Sequence, residues 1–227
     1  MKLENTLKRA ILINEKKISI TYRNRLIIGK IGIMGGTFDP IHYGHLATAE
    51  AVRVKYKLNK VIFMPSGNPP HKRDRDIIDK LHRYNMTILA TMSNKYFEVS
   101  SLEIKRKGRT YTIDTLKKLK NTYKNSELFF ITGADAFCDI ETWKDVEENF
   151  NLATFIGATR PGVELSKVRN KIEYLKSKYN TKILEIHVPS LDISSTDLRE
   201  RIKMNKSIKY LLPECVEKYI YKYNLYR

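Results

Sequence analysis

Two short stretches of this 227-residue sequence carry side chains suited to handling a phosphate. The first is GGTFDPIHYGHL, Gly35 to Leu46. Glycines between an apolar run and a helix let the backbone approach an anion closely. The helix start adds free N–H groups and positive potential. His42 and His45 stand three apart, which puts both imidazoles near that start and on one side of it. Two imidazoles there can donate hydrogen bonds to a pentacoordinate phosphorus. A tight turn with one incidental histidine is a common thing. Gly-Gly, Asp-Pro and H-x-G-H together at a strand–helix junction are more than that. The second stretch is ISSTDLRER, Ile193 to Arg201. Ser194, Ser195 and Thr196 immediately precede a helical run, where hydroxyls cap the helix and can also bind phosphate oxygens. Arg199 lies one turn further on and could reach the same anion. Capping alone would account for this cluster; its pairing with the first stretch gives it weight.

Several other chemistries are excluded. No G-x-x-x-x-G-K-[ST] occurs, so this is not a P-loop enzyme. No G-x-G-x-x-G follows the first strand, which disfavours a dinucleotide dehydrogenase. H-x-G-H has the wrong spacing for a helical zinc pair, and His71, His82 and His187 lack evident ligand partners, so no metal ligands are expected from the protein. Cys138 and Cys215 form no CxxC pattern, which fits a reduced, cytoplasmic setting. No stretch approaches the roughly 18 apolar residues of a membrane span, and the N-terminus lacks a signal peptide's apolar region and cleavage site.

The chain carries 42 basic and 25 acidic residues, a net +17. Residues 1–30 hold +6 of this and residues 199–227 another +5. A proteome bias towards Lys, Asn, Ile and Tyr explains the excess best. Phosphate substrates rank second and nucleic acid third.

The elements that would position these stretches follow from periodicity. KIGIM (Lys30–Met34) reads as a buried strand and His45–Lys57 as a helix. Val61–Met64 is a second strand, and Pro65–Asp76 a loop rich in Pro, Gly and basic residues. Ile77, Leu81, Ile88 and Met92 share a helical stripe. Tyr96–Ile104 reads as extended, and Ile113, Leu116 and Leu119 mark a helix. Leu128–Thr132, Leu152–Thr159 and Lys182–Val188 read as strands; Leu165–Tyr179, Thr196–Met204 and Pro213–Tyr223 as helices. Alternation of this kind indicates an α/β fold: a doubly wound, Rossmann-like parallel sheet with helices on both faces. Its ligand crevice lies beyond the carboxyl ends of the strands. One domain is expected over residues 30–227. Residues 1–29 form an N-terminal extension, which the sequence leaves open as a hairpin, a flexible arm or a start codon placed too far upstream.

GTFDPIHYGH together with ISSTDLR resembles the signature of the H-x-G-H nucleotidyltransferase superfamily. PSGNPPHK (Pro65–Lys72), YTIDTL (Tyr111–Leu116), GAD (Gly133–Asp135), Trp143-Lys144 and Arg160-Pro161-Gly162 occur in the expected order. The set resembles bacterial nicotinate-nucleotide adenylyltransferase over nearly all of Lys30 to Arg227. The resemblance implies that ATP and nicotinic acid mononucleotide are joined to give deamido-NAD (nicotinate adenine dinucleotide) and pyrophosphate, a step of NAD biosynthesis. The mononucleotide phosphate would attack the ATP α-phosphorus in line, with no covalent enzyme intermediate.

The resemblance also implies roles. His42, His45 and Arg199 would be catalytic. Gly35, Gly36, Thr37, Phe38, Gly133, Asp135, Ser194, Ser195 and Thr196 would join them around ATP, with Asp135 accepting from a ribose hydroxyl. Trp143 would stack on the pyridine ring, while Thr112 and backbone near Lys144 receive the nicotinate carboxylate. Lys72, with Asn68 and His71, would reach the mononucleotide phosphate, and Arg160 would add positive charge. Taken alone, Trp143 could equally be a packing residue, and Arg160 a solvated loop arginine. Mg²⁺ would be carried by ATP with water ligands. Neither nucleic acid nor membrane is an expected partner, and self-association stays open. Phosphopantetheine adenylyltransferase is the nearest alternative, but that family usually has Thr at the first His of H-x-G-H and a shorter chain. A nucleic-acid-binding module is the alternative from another class, supported only by the charge.

Overall fold

The computed structural model describes residues 2–23, 29–69, 77–159, 165–188 and 191–227. Its strands are β1 (Lys30–Gly36), β2 (Lys60–Pro65), β3 (Phe97–Val99), β4 (Glu127–Gly133), β5 (Thr154–Thr159) and β6 (Ile183–His187). They pair in the order β3-β2-β1-β4-β5-β6, and each pair is parallel. The helices are α1 (Lys2–Arg23), α2 (Tyr43–Lys55), α3 (Lys80–Thr91), α4 (Thr112–Thr122), α5 (Val146–Leu152), α6 (Leu165–Lys178), α7 (Ser195–Lys203) and α8 (Glu214–Lys222).

The short apolar runs are strands because both faces of the sheet are covered, so each run can be apolar throughout. Successive residues of one strand enter opposite cores. Met34, Val61, Phe63, Phe129, Ile131 and Ile156 face α2, α3, α7 and α8. Ile31, Ile33, Ile62, Met64, Phe130 and Phe155 face α4, α5 and α6. The doubly wound α/β fold expected from the alternation is therefore present. β1 runs through both glycines, past the expected end at Met34. A Cβ on Gly35 would lie 2.9 Å from the Phe130 ring, and one on Gly36 would lie 2.8 Å from the Phe38 ring. These two positions are glycine because aromatic side chains pack directly on the backbone.

Three local expectations are corrected. Tyr96–Ile104 is extended only over Phe97–Val99. The Ser100 hydroxyl accepts from the Leu102 N–H at 3.2 Å and starts a turn that swings Glu103 inward. Leu81 is 56% exposed, and Arg83 is the residue that faces inward from the first turns of α3. The strand read from Leu152 begins at Thr154, because Leu152 closes α5, a helix too short to show a period.

Lys2–Arg23 form α1, which packs on α3, β3 and α8. Leu3, Leu7, Ala10, Asn14 and Lys17 recur at helical spacing. Ala10 is fully buried in the core, with Leu3 and Leu7 packed beside it. The polar members bind strand backbone. The Asn14 amide donates to the Val99 carbonyl at 2.9 Å and accepts the Val99 N–H at 2.8 Å. Lys17 Nζ donates to the carbonyls of Asn94 (2.8 Å) and Phe97 (3.0 Å). Asn14 thus stands in for a neighbouring strand along β3. Asn14→Ala is expected to destabilise the protein by about 1–3 kcal/mol for each Val99 group left unpaired. Denaturant unfolding of the two proteins measures this, and an unchanged midpoint would show that α1 does not hold the strand in solution.

Candidate active site

The sheet order changes direction between β1 and β4, which places the ligand crevice at the carboxyl ends of those strands. Two cavities lie there, one on each side of the loop after β1.

The first cavity, of about 290 Å³, is lined by His42, His45, Gly133, Asp135, Ser194 and Ser195, among others. The N-termini of α2 and α7 both point into it, so two positive dipole ends converge on one space. His42 is buried at the N-cap of α2 in extended backbone. The two imidazoles lie 3.8 Å apart, centre to centre, with 31° between their planes. The His42 N–H donates to His45 Nδ1 at 3.3 Å. With Nδ1 accepting this bond, Nε2 is the ring nitrogen left to face outward as a donor. Phe38 packs edge-on against the His45 ring at 5.1 Å.

The second cavity, of about 220 Å³, is lined by Gly35, Gly36, Thr37, Thr112, Trp143 and Lys144, together with Glu103, Thr110 and Phe130. Thr112 is the first residue of α4, so that helix also presents its N-terminus. Trp143 lines the cavity and packs edge-on against Phe130 (6.0 Å) and Phe155 (6.4 Å). The residue thus packs on the core with part of its surface open to the cavity. Asn149, fully buried, donates to the Lys144 carbonyl at 2.9 Å and the Asp145 carbonyl at 3.0 Å, which fixes the loop behind Trp143.

Four candidates, Phe38, Asn68, Thr196 and Arg199, sit outside these linings. Phe38 is buried beneath the glycine loop. Asn68 is exposed, and its carbonyl accepts the Thr110 N–H at 2.9 Å. Arg199 donates to the Asp39 carbonyl at 2.8 Å and to the Thr196 hydroxyl at 3.3 Å. Ser194 Oγ caps α7 by accepting the Asp197 N–H at 3.0 Å. Ser195 Oγ donates to the Pro40 carbonyl at 2.9 Å, stitching α7 to the glycine loop. His71, Lys72 and Arg160 lie outside the described residues. Among the described residues no group of three His, Cys, Asp or Glu side chains could hold a metal ion, and no helix is long and apolar enough to cross a membrane.

Residues 33–201 match the Cytidylyltransferase-like family model. The chain is 57% identical over 199 residues to a probable nicotinate-nucleotide adenylyltransferase of Thermoanaerobacter, covering 87% of this chain and 94% of that one. It is 55% identical to the protein of the same description from Moorella thermoacetica, covering 88% and 92% of the two chains. The chain belongs to the nicotinate-nucleotide adenylyltransferase family. A solved structure, the Plasmodium falciparum nicotinic acid mononucleotide adenylyltransferase complexed with NaAD, superposes with a TM-score of 0.70 at 27% identity, over 87% of this chain and 97% of that one.

In this nicotinate-nucleotide adenylyltransferase fold, sequence reasoning missed the residues that hold the site from behind. Asp39 is 2% exposed. Tyr226, the penultimate residue, donates its phenol to Asp39 Oδ1 at 2.8 Å, and Arg199 lies 4.0 Å from Oδ2. Burial and the adjacent Asp39 carboxyl push the Tyr226 phenol well above its ordinary range. Glu103 is buried against Thr115, whose hydroxyl donates to it at 2.7 Å. Burial raises this carboxyl, with the Thr115 hydroxyl pulling the other way. A lone acid in the apolar SSLEI run was the available signal for Glu103. Tyr226 had none, since its partner lies 187 positions away. Tyr226→Phe removes a donor to a buried carboxyl and is expected to destabilise the protein by about 1.5–3 kcal/mol. Chemical denaturation checks this, and a loss below 0.5 kcal/mol would mean that Asp39 finds another donor.

Proposed function

We propose that this chain transfers the adenylyl group of ATP to nicotinic acid mononucleotide, giving nicotinate adenine dinucleotide and releasing pyrophosphate. The observation that carries the reading is the pair of cavities sharing the Gly35–His45 loop as a common wall. Two substrates held on either side of one loop can meet at a phosphorus between them.

A phosphate oxygen of the mononucleotide attacks the α-phosphorus in line. The new P–O bond forms as the bond to the bridging oxygen breaks, and pyrophosphate takes the electron pair. The protein's contribution is position and charge stabilisation. The first cavity takes ATP. The His45 Nε2–H and the neighbouring His42 face the phosphate whose charge grows in the transition state. The α7 N-terminus, with Ser195, Thr196 and Arg199, holds the departing phosphates, and Asp135 accepts from the ribose. Mg²⁺ would arrive with the substrate as MgATP, with water ligands. When bound, it neutralises triphosphate charge. The second cavity takes the pyridine nucleotide, with Trp143 stacking on the ring. The Thr112 hydroxyl, the α4 N-terminus and backbone N–H groups near Lys144 receive the carboxylate. Lys72, with Asn68 and His71, next in sequence to Pro69 of that cavity, is proposed for the acceptor phosphate, and Arg160 for added positive charge.

The direct experiment is ATP turnover with nicotinic acid mononucleotide, nicotinamide mononucleotide and phosphopantetheine side by side. Turnover confined to phosphopantetheine would reject the reading. His45→Ala is expected to lower kcat by an amount equivalent to about 2.7–4 kcal/mol, as for loss of one oxyanion donor, with ATP affinity little changed. Steady-state kinetics and ATP titration separate the two effects. Near wild-type turnover would remove His45 from the mechanism. Trp143→Ala should raise the KM of both pyridine acceptors by an amount consistent with about 1–3 kcal/mol of stacking. Thr112→Val should hurt the acid more than the amide, so an unchanged ratio of the two kcat/KM values would mean that Thr112 does not read the carboxylate.

A further inference from the structure

Arg83 is 1% exposed, yet among the described residues it has no ion-pair partner within 4.0 Å. Its guanidinium is spent on three backbone carbonyls. Nη1 donates to Thr37 O at 2.7 Å, Nη2 to Gly67 O at 3.0 Å and Nε to Ile78 O at 3.2 Å. Burial pulls the pKa of this guanidinium down, with Asp39, Asp79 and Glu103 supporting its charge from beyond ion-pair distance; burying it is costly, and what it holds in return is two loops. Thr37 follows β1 and belongs to the loop that carries His42 and His45. Gly67 follows β2 and opens the loop that continues to Asn68 and Pro69 beside the second cavity. Both carbonyls lie past the last ladder pair of their strands, Gly36 with Pro65. Just inside them the Gly36 carbonyl accepts the Ser66 N–H at 2.9 Å and the Ser66 hydroxyl at 3.1 Å; past that tie, Arg83 links the two loops.

The geometry points to Arg83 as a positioning residue that sets the distance between the two substrate half-sites. This rests on the adenylyl-transfer reading above. A guanidinium is planar, and its two terminal nitrogens sit at a fixed separation, so a fork bonded to two carbonyls holds them as one rigid unit. Gly67 is close-packed from its other side as well. A Cβ there would fall 2.3 Å from the Glu103 carbonyl oxygen. The loop after β2 therefore cannot drift from the loop after β1 while Arg83 is in place. Arg83 lines neither cavity and touches no substrate position. Its effect is on alignment, to which in-line transfer is sensitive: a misplacement of about 1 Å costs on the order of 10²-fold in rate.

Arg83→Lys tests this, because an ammonium is a single point of attachment and cannot hold two carbonyls in one plane. Four readouts are taken on the full chain: kcat, the KM of each substrate, calorimetric binding of each substrate alone, and melting temperature. The expected result is a kcat lower by on the order of 10²-fold, with each substrate alone binding within about threefold of wild type. A role in stability alone would instead move the melting temperature and leave the kcat of the folded fraction intact. That outcome overturns the proposal, as does a loss carried entirely by one KM. Should Arg83→Lys fail to fold, Gly67→Ala displaces the same carbonyl from the other end. It must show the same split between kcat and binding; a folded Gly67→Ala with wild-type kcat also overturns the proposal. Wild-type protein that adenylylates a different acceptor would reject the substrate reading, and the same kcat split, measured in that reaction, would still decide the role of Arg83.

Discussion

A carboxyl group closed off from water must be met by donors, and Asp39 is such a group in the middle of the loop after β1. Its partners arrive from far along the chain. Tyr226 brings the C-terminus back across the sheet and donates to the carboxyl; Arg199 brings α7, donating to the Asp39 backbone carbonyl with its charge 4.0 Å from the carboxyl. Once α7 is placed by this demand, its first residue lies against Pro40, where Ser195 bonds the loop backbone. The shape of the glycine–histidine loop, the docking of α7 and the path of the last residues are therefore one constraint. The convergence of the α2 and α7 N-termini on the first cavity follows from it.

That convergence also says where the site's positive potential comes from. Among the described residues lining the two cavities, Lys144 is the one lysine or arginine. Among the described residues, helix N-termini and imidazole and hydroxyl donors supply the rest of that lining's field, with Arg199 bonded just behind the loop. Fixed dipoles need no reorganisation as charge moves from the α-phosphorus to the leaving group.

The strands were legible because parallel sheets buried on both faces produce apolar runs, and Ile31–Met34, Val61–Met64 and Leu128–Ile131 are such runs. The glycine loop and the Ser-Ser-Thr helix start were legible because phosphate handling restricts residue type at fixed spacing. Contacts made through polar groups facing inward were not. The stripe of α1 is helical in spacing, but two of its five inward positions are Asn14 and Lys17, which look like solvent-facing residues until β3 is there to receive them. Arg83 and Glu103 failed to register for the same reason. Each is an ionisable residue inside; Arg83 meets backbone carbonyls and Glu103 meets the Thr115 hydroxyl, partners that no sequence pattern marks.

The pairing of Asn14 with Val99 has a further effect on how copies of this chain can associate. A parallel sheet of this kind has two free margins, and the β3 margin is a template for intermolecular strand addition. Here the N–H and carbonyl of Val99 and the carbonyl of Phe97 are already engaged by α1. At the other margin the Glu185 carbonyl of β6 accepts from the Tyr56 hydroxyl at 2.8 Å and from Lys55 Nζ at 3.1 Å. A continuous sheet running from one molecule into the next would have to break these bonds first. Any assembly of intact molecules is thereby directed to helix and loop surfaces, and fibril-like stacking through β3 becomes a property of chains in which α1 has come away.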